Sequence, residues 1–244
     1  MRTRFGRATA AVLTASALCL TAAACGSSDD DKKPASSAGQ DTAKDGADKG
    51  AGKSATVLTA AQMKAATLAV KDLPAGWKAD AAAPATDEAP PKADKPVCQP
   101  VADLLADKVA GATMGGGQDF TDAKGFNILS QQVMTFPGTG AADFVKAFGP
   151  ALDGCTGFKV TGEDGYPVKV EKLSGPTAGE TSYTFKMTME IPGFGQGITS
   201  HMLVMHQGTG VSRLAYVPGD KAAGAAFGDL AERAGDKFVE GVQG

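Results

Sequence analysis

Ser182-Tyr183-Thr184-Phe185-Lys186-Met187-Thr188-Met189-Glu190-Ile191 sets apolar side chains at every odd position and polar ones at every even position. A period of two belongs to an extended strand with one face buried and the other in water. The turn Pro192-Gly193-Phe194-Gly195-Gln196-Gly197 leads into residues 198–206, and Gly208-Thr209-Gly210 leads into 211–217. Three strands joined by short Gly-rich turns form an antiparallel meander. Upstream, residues 158–161 and 167–173 read as further strands. In 126–136, Ile128, Met134 and Phe136 fall on one side and Leu129 and Val133 on the other, the pattern of a strand covered on both faces.

Helical spacing frames these strands. Thr59 with Gln62 three residues on makes a capping box, and Met63, Ala66, Val70 and Leu73 recur at helical spacing, which predicts a helix over 60–71. A second helix is expected from Pro100, with Val101, Leu104, Leu105 and Val109 on one face, ended by Gly115-Gly116-Gly117. A third starts at Thr139 and carries Phe144, Val145, Phe148 and Leu152. The last, 222–239, buries Phe227, Leu230, Ala231, Ala234 and Phe238. The fold class is therefore α+β: an antiparallel sheet of five to six strands with helices packed mainly on one face and one disulfide.

Residues 1–24 carry Arg2, Arg4 and Arg7, then an apolar stretch too short to span a bilayer, then Ala22-Ala23-Ala24 before Cys25. This is a secretory signal that resembles a bacterial lipobox, in which the Cys becomes the diacylated N-terminus. Leu20 stands two residues early for that motif, and an ordinary cut after Ala24 that leaves a free thiol is the alternative. Two acyl chains anchor stably, so the expected address is lipid-anchored on the extracytoplasmic face of the cell membrane. Residues 25–57 then form a polar stalk with too little apolar surface to fold, and 58–244 form one α+β domain. Loss of the signal leaves 21 Lys and Arg against 27 Asp and Glu, a balance that disfavours a nucleic-acid partner.

Of four cysteines, Cys19 leaves with the signal and Cys25 carries the lipid. Cys98 and Cys155 remain as a disulfide pair, the natural state outside the cytoplasm, with two buried thiols as the alternative. Asp72-Leu73-Pro74-Ala75-Gly76-Trp77, Cys98 before a helix, and 126–136 followed by Ala141-Ala142-Asp143-Phe144-Val145-Lys146-Ala147-Phe148 and Cys155 resemble actinobacterial extracytoplasmic lipoproteins akin to the sensor domain of PknH-type receptor kinases. The resemblance covers about residues 58–244. It implies a sheet packed on helices and a cleft for a small ligand. Domains of that family often carry two disulfides, and this chain can make one.

Catalytic motifs are scarce. No Gly-x-Ser-x-Gly elbow or phosphate loop occurs, and only His201 and His206 could serve as bases, so the chain is not expected to be an enzyme. Met187, Met189, His201, Met202, Met205 and His206 combine thioether and imidazole, ligands that suit copper. Two His five residues apart on a strand point to opposite faces, however. Pairing Met187 with Met202 would set Tyr183 opposite His206 on the buried face, so these residues read as core and no metal or cofactor is expected. A noncatalytic binding or sensor-like domain for a small molecule is the first expectation. A lipid carrier with an apolar cavity is the second and a small hydrolase the third.

Overall fold

The computed structural model describes residues 56–244 except 82–85, 87, 163, 164, 194, 196, 221 and 222. Cys25, the signal and nearly all of the stalk lie outside the described residues. In chain order the elements are α1 (Ala60–Ala65), β1 (Trp77–Ala79), α2 (Gln99–Ala102), β2 (Thr113–Asp122), β3 (Ile128–Thr135), α3 (Gly140–Lys146), α4 (Phe148–Gly154), β4 (Gly157–Lys159), β5 (Pro167–Leu173), β6 (Thr181–Met189), β7 (Ile198–Gln207), β8 (Gly210–Val217) and α5 (Phe227–Gln243). Short 3₁₀ turns occupy Val70–Asp72, Pro96–Cys98, Asp103–Leu105 and Ala223–Ala226.

The meander is present as β6, β7 and β8, within one antiparallel sheet ordered β1-β2-β3-β8-β7-β6-β5-β4. This sheet has eight strands, not five to six. The extra pair is β1, only three residues long, and β2, which runs straight through Gly115-Gly116-Gly117. Those glycines do not end the chain's regular structure; Gly115 and Gly116 let a helix lie close to it. A Cβ on Gly115 would fall 2.0 Å from the Met63 side chain, and one on Gly116 2.8 Å from the Met63 carbonyl oxygen. Pairing with β3 shifts register between Met114 and Gly116, a bulge that absorbs the extra residue.

Helices cover both faces, not mainly one. On one face α1 and α5 enclose Phe120, Leu129, Val133, Leu203, Met205, Leu214 and Tyr216. On the other, α2, α3 and α4 enclose Met134, Phe158, Val168, Phe185, Met187, Met202 and Val204. Central strands β3, β7 and β8 are therefore buried on both sides, and the run Met202-Leu203-Val204-Met205 reflects that. On β6, Phe185 and Met187 are buried while Lys186 reaches across to Glu171 at 2.7 Å.

The first helix is one turn and a half with its capping box intact, shorter than the predicted 60–71; Val70–Asp72 is a separate 3₁₀ turn. The predicted second helix is cut to α2 plus the turn Asp103–Leu105. The third breaks into α3 and α4 at Ala147, yet buries Val145, Phe148 and Leu152 as expected. Cys98 and Cys155 are joined by a disulfide that ties the approach to α2 to the end of α4. α5 buries all five predicted residues.

Candidate functional site

Residues of β8 alternate between the two covered faces, and Arg213 is turned toward the α2–α4 side, opposite Gln132 of β3. Only 7% of it is exposed. Its Nε donates to Gln132 Oε1 at 2.7 Å, and Nη2 donates to the same oxygen. Nη1 donates to the Leu104 carbonyl at 3.2 Å and Nη2 to the Asp107 carbonyl at 3.0 Å. The guanidinium thus fastens one carbonyl of the Asp103–Leu105 turn and one just beyond it to the middle of the sheet. Burial pulls its pKa down to about 10, against the pull of nearby Asp107, so it stays charged at neutral pH.

The Asp107 carboxylate is hydrogen-bonded elsewhere. It accepts from the Thr86 N–H and hydroxyl, both at 2.8 Å. Those bonds, with a smaller contribution from Arg213, hold its carboxyl below the ordinary range. A relay of Arg213, Asp107 and Thr86 therefore links sheet, turn and the segment leading to Pro91.

Three depressions lie along this relay, with volumes of about 310, 150 and 360 Å³. The first, between Pro91, Val160 and Tyr166, shares Leu105 and Ala106 with the second. Arg213, Ser130, Met202 and Ala215 line the second, which shares Asp107 and Gln132 with the third, over Gly117 and Asp119. We term the three, each sharing lining residues with the next, the groove flanking Leu104–Asp107. On the opposite face a separate depression of about 420 Å³ opens beside Trp77, whose ring centroid lies 6.4 Å from that of Tyr216.

The Met and His residues singled out in the sequence are not brought together. The β6–β7 register is offset by two residues from the expected one: Phe185 pairs with Met202, Met187 with Ser200, Tyr183 with Val204 and His206 with Thr181. The Gly-rich turn between the strands leaves that offset open in the sequence. His201 lies on the α5 face, its ring 5.3 Å from that of Phe227, and Met205 is on the same face. Met187, Met202 and His206 lie on the other. Among the described residues no group of three His, Cys, Asp or Glu could hold a metal.

His206 is 3% exposed, and neither ring nitrogen has a hydrogen-bond partner among the described residues; Glu180 Oε2 stands 3.6 Å from Nδ1. Burial lowers the pKa of His206, and of His201, from 6.5. The unfolded chain therefore binds protons that the folded one refuses. Stability is full above about pH 6.5 and is lost as pH falls from there toward the depressed folded values. Replacing a buried, unpaired imidazole by an apolar side chain removes its desolvation penalty. His206→Leu should raise stability by about 1 kcal/mol at neutral pH and reduce the loss below about pH 6.5, as read by urea unfolding on either side of that pH. Unchanged pH dependence would show that His206 is protonated without penalty.

No protein-family model matches the chain, and no curated protein does. Among solved structures, the extracellular domain of PknH from Mycobacterium tuberculosis is similar to it, with a TM-score of 0.55 and 15% identity over 78% of this chain and 98% of that one. At this identity the likeness is one of fold, and the resemblance to the PknH-type sensor domain holds at that level.

Proposed function

We propose that the chain is a noncatalytic, sensor-like domain held at the extracytoplasmic face of a cell membrane by acyl chains on Cys25, and that the groove beside Leu104–Asp107 receives a small ligand. The observation that carries the reading is the fold shared with an extracellular domain, to which a groove with walls fastened by a buried cation adds a place for binding. The lipid-carrier reading fits less well. The layers between sheet and helices are filled by Phe148, Phe185, Met187, Phe120, Leu203 and Phe238, all less than about a fiftieth exposed. Hydrolysis fits least, because His201 and His206 lie on opposite faces and, among the described residues, no hydroxyl or thiol is hydrogen-bonded to either ring nitrogen of His206.

The anchor has its own test. Cys25→Ser should move the protein from the membrane fraction to the medium, and intact mass of the unmodified chain should show a diacylglyceryl group on a chain starting at Cys25. Membrane fractionation unaffected by the substitution would refute it. For the domain, native mass spectrometry of the chain extracted from its host should reveal a small polar adduct. A bound lipid of several hundred daltons would instead establish the carrier. Turnover of ester or peptide substrates, abolished by His201→Ala or His206→Ala in a folded protein, would overturn the noncatalytic reading.

A further inference from the structure

Arg213 is costly where it stands. A guanidinium taken almost wholly out of water needs compensation, and the usual compensation is a carboxylate in bidentate contact. Here the four bonds it makes go to the neutral oxygens of Gln132, Leu104 and Asp107, while the carboxylate of Asp107, a residue that also lines the middle depression, attracts the guanidinium only through space and is hydrogen-bonded by Thr86. A guanidinium has five N–H groups. One, on Nη1, has no partner among the described residues, and Arg213 lines the depression of about 150 Å³ in the middle of the groove. Each water takes roughly 30 Å³, so the space holds several waters or one small oxyanion. Fastening two carbonyls explains why a donor sits here. It does not explain a permanent charge, since a neutral amide would donate to both carbonyls without the cost of desolvating a cation.

We infer that the groove binds a ligand through an oxyanion, a carboxylate or phosphate group, seated against Arg213 in that middle depression. The inference rests on the groove being the binding site and names what it recognises. Asp119 marks the limit of that preference. Its Oδ1 accepts from Ser130 at 2.6 Å, and it lines the adjoining depression, so a second negative group on the ligand would meet a carboxylate. The ligand is therefore anionic at one end and neutral or donor-bearing at the other.

The experiment is a titration of the ¹⁵N-labelled full chain with sodium phosphate and, separately, sodium acetate, at ionic strength held constant with sodium chloride. The signals followed are Arg213 Nε–H and the Gln132 side-chain amide. Saturable shifts of both are expected, with a dissociation constant on the order of millimolar for such small probes. The tighter of the two probes identifies the oxyanion as phosphate or carboxylate. Arg213→Gln should weaken binding at least tenfold. Gln132→Glu replaces an amide by a carboxylate of the same shape, keeps the acceptor and neutralises the guanidinium from within. It should raise Tm and also weaken both probes at least tenfold, which keeps the test decisive if Arg213→Gln does not fold. Shifts that fail to saturate, or Gln132→Glu binding phosphate and acetate as tightly as the parent, would overturn the inference. A neutral adduct found by native mass spectrometry, with no phosphate or acetate response, would leave the binding reading standing and this one refuted. No adduct and no response would remove both.

Discussion

Reduction of the Cys98–Cys155 disulfide lowers the free energy of unfolding by about 4 kcal/mol. The bond closes a loop of 57 residues, and the chain-entropy relation assigns about that value to a loop of this length. For a domain of this size the midpoint should fall by about 8 to 16 °C, read by calorimetry with and without a phosphine reductant. Cys98→Ala/Cys155→Ala should behave alike, with a further loss because both sulfurs are buried in the α2–α4 core. The damage is directional. α2 leads directly into the Asp103–Leu105 turn that Arg213 holds, so the reduced protein should also weaken its response to phosphate or acetate before it unfolds. A change below about 1 kcal/mol would show that packing alone fixes α2 on α4, and thiol titration of the unfolded, unreduced chain should find neither cysteine free.

Phe148→Ala should cost about 3 to 5 kcal/mol, the range for removing an aromatic ring from a close-packed core. Phe148 is fully buried, with its ring centroid 6.1 Å from that of Phe185 and 5.5 Å from that of Phe144. The substitution also separates two functional readings. If the helix layer enclosed an adaptable space for acyl chains, the ring would be one movable wall and its loss would cost about 1 kcal/mol or less. Denaturant unfolding with an unchanged slope measures the difference.

The meander was legible because Ser182–Ile191 alternates and short Gly-rich turns separate its successors. α5 was legible because Phe227, Leu230, Ala231, Ala234 and Phe238 recur at helical spacing. β2 was hidden because three consecutive glycines ordinarily mark a break, and only the close approach of Met63 explains Gly115 and Gly116. Two-sided cover was signalled by Met202-Leu203-Val204-Met205, four apolar residues in a row, but the neighbouring strand β6 is wet on one side and set the expectation for the whole sheet. The groove could not have been read in advance. Its walls come from segments near Thr86, Leu104, Gly117, Ser130 and Val160, and Arg213 becomes conspicuous only once its register opposite Gln132 is known. The available signal was a single Arg in the otherwise uncharged strand Gly210–Val217.

β3 pairs with β8, so residues 128–135 meet residues 210–217 across the whole of β4 to β7. Each side of that seam can assemble from near neighbours in the chain: β1 to β3 as an up-and-down ribbon, β4 to β8 as another. Joining them closes the chain between Thr135 and Gly210, some two fifths of the domain, and is the natural late step in folding. Gln132 and Arg213 face each other across this seam. Neither ribbon alone contains the groove, so anything bound there grips both halves and acts as a clasp that only a finished molecule can close.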